Sequence, residues 1–171
     1  MIHGRFQPFH SGHLEYLRGA AARSDEVFVG ITNPDPVRIR PEASDPLRHL
    51  PESNPWSYAE RLLMVKAAAL DLGLELAHVH VIPFPVNEPE LWSAYVPDGV
   101  TQYIRLFSDW GGTKLERLRA AGYEVVVLDE GAEKGVSGAD VRAALRDGGD
   151  WEALVPPGVA RVLRSLERVP A

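Results

Sequence analysis

Cysteine is absent from this 171-residue sequence, which excludes disulfide bridges, thiolate nucleophiles and Cys-ligated zinc. No apolar run approaches the roughly 18 residues of a membrane-spanning helix, and no signal peptide is expected ahead of the first motif. Positive charge is in deficit. Eighteen Lys and Arg against 24 Asp and Glu give a formal net charge of −6, which argues against broad nucleic-acid binding. Lysine is scarce as well: Lys66, Lys114 and Lys134 are the only ones, so nearly every cation is an arginine. A small anionic ligand or surface pairing must then account for local basic residues. What remains is an ordinary globular composition, 45% hydrophobic and 25% charged. It is long enough for one domain over residues 1–171 with a real core, and a cytoplasmic location is expected.

The most informative segment that is present is Gly4-Arg5-Phe6-Gln7-Pro8-Phe9-His10-Ser11-Gly12-His13. Gly4 and Gly12 give backbone freedom, Pro8 fixes a turn, and an amphipathic run (Leu14, Leu17, Ala20, Ala21) follows at once. Donors and small residues in a strand-to-helix turn are what a phosphate-binding loop requires. Helix N-termini present unpaired N–H groups, and imidazole adds charge-assisted donors. A surface turn that merely holds two histidines is the plainer alternative, and the six residues ahead of His10 weigh against it.

Along the chain, β-rich runs alternate with amphipathic ones. Strands are expected at 1–3, 26–31, 78–83, 101–107 and 123–128. Helices are expected at about 12–24, 57–72, 91–95, 113–121, 137–146, 150–154 and 157–166. Ser57 and Glu60 form a capping-box pattern. Between 33 and 55, six prolines forbid regular structure, and a loop this long suggests a lid or a specificity element. The alternation predicts an α/β fold: a Rossmann-like, doubly wound parallel sheet with C-terminal helices, its ligand beyond the carboxyl ends of the strands.

A second segment, Val136-Ser137-Gly138-Ala139-Asp140-Val141-Arg142, carries a Ser137/Asp140 capping box. It also offers Ser137, the first-turn N–H groups and Arg142 to a phosphate, with Lys134 in the Gly-bounded loop before it. The two segments together resemble the nucleotidylyltransferase superfamily, nearest the archaeal-type nicotinamide mononucleotide (NMN) adenylyltransferases. Tyr58-Ala59-Glu60-Arg61, Leu91-Trp92 and the tail 147–155 extend the likeness.

The resemblance implies transfer of a nucleoside monophosphate from an Mg²⁺-bound NTP to a phosphate or phosphonate acceptor, with release of pyrophosphate. Carried over by position, His10 and His13 contact the triphosphate, Arg5 holds the acceptor phosphate, and Ser137, Gly138 and Arg142 bind the β- and γ-phosphates. Gly4, Phe6, Gln7, Phe9, Gly12, Asp109, Trp110 and Lys134 complete the expected nucleotide-binding set. Arg38, Arg40 and Trp92 join Arg5 on the acceptor side, and no resident metal ligand is expected from the protein itself. No membrane partner is expected; a homo-oligomer stays open, with no interface legible.

The chain departs from the NMN-binding pattern at several places. Ser53 stands where those enzymes place an Arg, and Pro89 where they place an Asn. Residues 107–112 (Phe-Ser-Asp-Trp-Gly-Gly) replace a Ser-Gly-Asn-Pro turn, and Ala139 replaces a Thr. Arg38, Arg40 and Arg48 in the long loop suit an acceptor with several negative charges. Asp109 suits an exocyclic amine, of which both cytosine and adenine carry one. The family includes cytidylyltransferases of GC-rich actinomycete pathways that act on small phosphonates such as phosphonoformate. The Arg bias and both altered pockets favour that branch, in natural-product (antibiotic) biosynthesis. An NMN adenylyltransferase is the alternative. A non-catalytic nucleotide sensor and a fragment of a class I aminoacyl-tRNA synthetase are distant ones.

Overall fold

The structure is a computed structural model that describes residues 1–41, 47, 49–106, 109–130 and 135–166, without the side chains of Asp109, Trp110 and Glu130. Short runs rich in β-branched residues form Ile2–Gly4 (β1), Val27–Thr32 (β2), Val79–Phe84 (β3), Gln102–Leu106 (β4) and Val125–Glu130 (β5). Between and after them lie the helices Ser11–Ala21 (α1), Tyr58–Asp71 (α2), Asp109–Ala120 (α3), Gly138–Asp147 (α4) and Pro157–Ser165 (α5). All pairings are parallel: β1-β2-β3 form one ladder and β4-β5 another. Tyr103 N donates to Met1 O (2.8 Å) and the Met1 amino group to Thr101 O (2.6 Å). The two ladders therefore abut at β1 and β4, and the spatial order reads β3-β2-β1-β4-β5. The strand order reverses between β1 and β4, the position at which such folds bind ligands.

Strand alternation divides the core in two. Ile2, Val27, Val29, Ile31 and Val79 pack beneath α1, α2, α4 and α5. Met1, Phe84 and Ile104 pack on the other face with Leu118 of α3 and Trp92. Gly30 is required where β2 passes between them, since a Cβ there would lie 2.4 Å from Met1 Cε and 2.9 Å from Phe84 Cβ. Helices thus cover both faces, as the alternating pattern predicts. No helix among the described residues is long and apolar enough to cross a membrane.

Several expected boundaries move for identifiable reasons. The helices expected at 91–95 and 150–154 are 3-10 turns, Pro89–Ala94 and Glu152–Leu154. In the first, Pro89 can occupy only a first-turn position. The long loop is not wholly irregular: Pro36–Arg38 and Pro51–Ser53 are 3-10 turns with proline at the first position, where no N–H is missed. α3 begins at Asp109, four residues before the expected 113, because Gly111 and Gly112 read as breakers although a first turn tolerates them.

Candidate active site

A cleft of about 690 Å³ opens at the carboxyl end of β1, walled by the decapeptide, the start of α4 and the beginning of α3. The first-motif backbone is shaped for it. Phe6 takes a left-handed φ of 52°, unusual for a bulky residue, and buries its ring completely. Gln7 is buried, and its amide forms a reciprocal pair with Trp56: Nε2 donates to Trp56 O (2.8 Å) and Oε1 accepts from Trp56 N (3.0 Å).

His10 caps α1, and its ring stacks on His13 with centroids 3.7 Å apart. His13 Nδ1 accepts from His10 N (3.3 Å), so the neutral ring carries its proton on Nε2 and can act as a donor there. Phe6 meets His13 edge-on at 4.9 Å and Phe9 lies at 5.4 Å. The two phenylalanines therefore fix the rotamer of the inner histidine. Phe9 is fully buried and off the cleft wall, and its ring packs on His13.

The second motif closes the other wall. Ser137 Oγ donates to Asp140 Oδ2 (2.7 Å), and the same carboxylate accepts from Ser137 N (2.8 Å). These bonds, with the charge of His10 nearby, hold the Asp140 carboxyl below the usual range, so the cap stays ionised at neutral pH. The capped first turn lies on the cleft wall, where Ser137 and Gly138 line the opening. Arg142 Nη1 donates to Gln7 O at 2.6 Å. Gly138 is pressed so closely on that carbonyl that a Cβ would sit 2.6 Å from the oxygen. The two motifs thus touch at the Gln7 carbonyl, through the Arg142 side chain, 135 residues further along the chain, and through the Gly138 backbone.

Gly4, Arg5, Phe6, Gln7, His10, Gly12, His13, Ser137, Gly138 and Arg142 all line the cleft. Arg38 and Arg40 do not. Arg38 is exposed and pairs with Glu88 (3.3 Å) and, more loosely, Asp35 (3.9 Å), and Arg40 is exposed on the same loop. Trp92 is not among the residues lining the cleft: it is 1% exposed, packs against Phe84, and donates its indole N–H to Pro85 O (2.9 Å). Arg48, Lys134 and the side chains of Asp109 and Trp110 lie outside the described residues.

Other cleft residues were not anticipated. His3 and Tyr16 line the floor; burial pushes the Tyr16 hydroxyl up, and it donates to Tyr103 O. Arg105 donates to Gly12 O (2.8 Å) and to Asp129 Oδ2 (2.9 Å). A register shift between Ile104 and Arg105 puts Arg105 opposite Asp129 and turns it to the cleft edge. A lone charge next to the end of β4, at the carboxyl side of the sheet, was the available signal. Lys114, one turn into α3, adds a further cation to the same wall.

The described side chains include no group of three or more His, Asp and Glu placed to hold a metal ion. The chemistry this arrangement can perform is retention and neutralisation of a polyanion by imidazoles, guanidinium groups and helix N–H donors.

Comparison with known proteins agrees with that chemistry. The chain is 45% identical over 164 residues, 96% of its length and 89% of the relative's, to a phosphonoformate cytidylyltransferase of Streptomyces viridochromogenes. It is 33% identical over 168 residues, 97% of its length and 82% of the relative's, to a nicotinamide-nucleotide adenylyltransferase of Thermococcus onnurineus. Among solved structures, it superposes with a TM-score of 0.70 on a bifunctional NMN adenylyltransferase/ADP ribose pyrophosphatase of Francisella tularensis. At 16% identity this likeness concerns the fold, and it covers 98% of this chain but only about half (49%) of that one. A model of the cytidylyltransferase-like family matches residues 1–144, and the chain belongs to that family of nucleotidyltransferase enzymes.

Proposed function

We propose that residues 1–171 act as one nucleotidyltransferase domain that moves a cytidylyl group from CTP to a small phosphonate of the phosphonoformate type, releasing pyrophosphate. One observation carries the reading. Two anion-binding segments meet on a single cleft in a chain 45% identical to a phosphonoformate cytidylyltransferase.

A phosphonate oxygen is already an anion at neutral pH, so the acceptor needs no strong general base. It attacks the α-phosphorus, a P–O bond forms, and the bond from that phosphorus to the bridging oxygen of the β-phosphate breaks as pyrophosphate leaves. Catalysis is then in-line positioning and neutralisation of charge. His13, presenting its Nε2 proton, and His10 serve the α-phosphate. Ser137, Gly138 and Arg142 hold the β- and γ-phosphates as they become the leaving group, and Arg5 holds the acceptor. Mg²⁺ arrives as part of the nucleotide substrate, bound by phosphate oxygens and water.

An NMN adenylyltransferase activity is the second reading, supported by relatives at about a third identity. Ser53 on the cleft wall offers an acceptor no guanidinium, which favours the small phosphonate over NMN. Mass spectrometry and ³¹P NMR of the product decide between them. Incubation with both nucleotides and both acceptors is expected to yield the mixed anhydride of CMP and the phosphonate, and NAD as the sole product would reject the proposal.

A further inference from the structure

Arg61, on the first turn of α2, is 2% exposed, and burial lowers its pKa to about 10, which leaves it protonated at neutral pH. A buried cation needs compensation, and no carboxylate among the described residues provides it. Backbone carbonyls do so instead. Nη1 donates to Arg5 O (2.9 Å) and Thr32 O (2.7 Å), Nη2 to Asn33 O (2.8 Å), and Nε to Ser57 O (3.3 Å).

These four oxygens occupy three separate places around the cleft. Arg5 belongs to the decapeptide. Thr32 and Asn33 are where the long loop leaves β2, with Asn33 at a left-handed φ of 51°. Ser57 is where the loop returns as the cap of α2. One guanidinium therefore ties the exit and the return of the 33–57 stretch to each other and to the acceptor-side arginine. Gln7 fastens the same neck a second time through Trp56. Above the neck, Leu47 and Ser53 reach the cleft wall.

We infer that Arg61 is a positioning residue for acceptor binding, setting the backbone of Arg5 and the neck of the 33–57 loop without itself touching either substrate. Its planar fork spans carbonyls on different segments; a lysine, with its donors at one point, cannot. The inference rests on the proposed function for the identity of the acceptor and for the acceptor role of Arg5.

The test compares wild type with Arg61→Lys. The KM for phosphonoformate is expected to rise about tenfold or more, while that for CTP changes by less than about threefold. Amides 49–57 are expected to exchange hydrogen at least about tenfold faster, with β2 and α5 unchanged. Equal changes in both KM values, no change in either, or uniformly faster exchange would overturn the inference. If wild type uses only ATP and NMN, the phosphonate reading fails and the same KM comparison is made with NMN. If it turns over no pair, exchange at 49–57 alone decides. Should Arg61→Lys not fold, wild type decides: amides 49–57 and the first turn of α2 must lose protection together in denaturant, and independent loss overturns the proposal.

Discussion

Arg142 on α4 and Gln7 in the loop after β1 are joined by a hydrogen bond of 2.6 Å from the guanidinium to the peptide oxygen. Beside it, Gly138 approaches that oxygen more closely than any Cβ-bearing residue can. This contact joins the two segments to which the proposed function assigns phosphate binding. Gly138→Ala is expected to force them apart, because the nearest obstructing atom, the Gln7 carbonyl oxygen, is backbone and cannot rotate aside. Turnover should fall about 10²-fold, the usual penalty for misplacement on the ångström scale. Stability should fall by about 1–3 kcal/mol, as in other overpacked sites. Steady-state pyrophosphate release and a denaturant melt check the two.

His13 stands at the centre of the ring cluster formed by Phe6, Phe9 and His10. His13→Ala is expected to lower kcat by roughly 10²–10³, the typical loss for one transition-state donor. Phe9→Leu, which loosens the support without removing the donor, should give a smaller loss in the same assay. Equal losses would mean that packing alone explains the effect.

Trp92→Phe separates a core role from a binding role. It leaves Pro85 O without its indole donor and should cost about 1–3 kcal/mol in a denaturant melt. The KM values for nucleotide and acceptor should stay as in wild type, and a raised acceptor KM would restore Trp92 to the site.

At the opposite end of the sheet, Glu26 lies between His78 (2.7 Å) and His80 (2.6 Å), with Asp25 and Glu75 adding negative charge near His78. Hydrogen bonding to the carboxylate raises the His78 pKa above 6.5, and the histidines lower that of Glu26 below 4.5. A raised histidine value means stabilisation that is complete below pH 6.5 and fades as pH rises through the folded value. A lowered carboxyl value means stabilisation present above pH 4.5 and lost as pH falls through the folded one. The pair should therefore contribute most between about pH 4.5 and 6.5. Tm of wild type relative to Glu26→Gln should be highest in that window and the difference should shrink by pH 8.

How far the sequence could be read depended on locality. The phosphate motifs are contiguous, so Gly4–His13 and Ser137–Arg142 were recognisable from spacing, as was the strand–helix alternation that places them at the reversal of strand order. The surroundings of Arg38 and Trp92 were not legible, for opposite reasons. Charge in a loop does not say whether it finds Glu88 or a ligand, and an aromatic after a turn does not say which face buries it. Arg105 and Arg61 act through backbone carbonyls far away in sequence, at Gly12 and at Arg5, Thr32 and Asn33. Such pairings depend on the crossovers between strands and leave no periodic trace.

The most direct test of the account is kcat/KM for pyrophosphate release, measured for CTP with phosphonoformate and for ATP with NMN. The cleft with its small-acceptor side predicts a ratio of at least about 10² in favour of CTP and phosphonoformate. A ratio below one would contradict it.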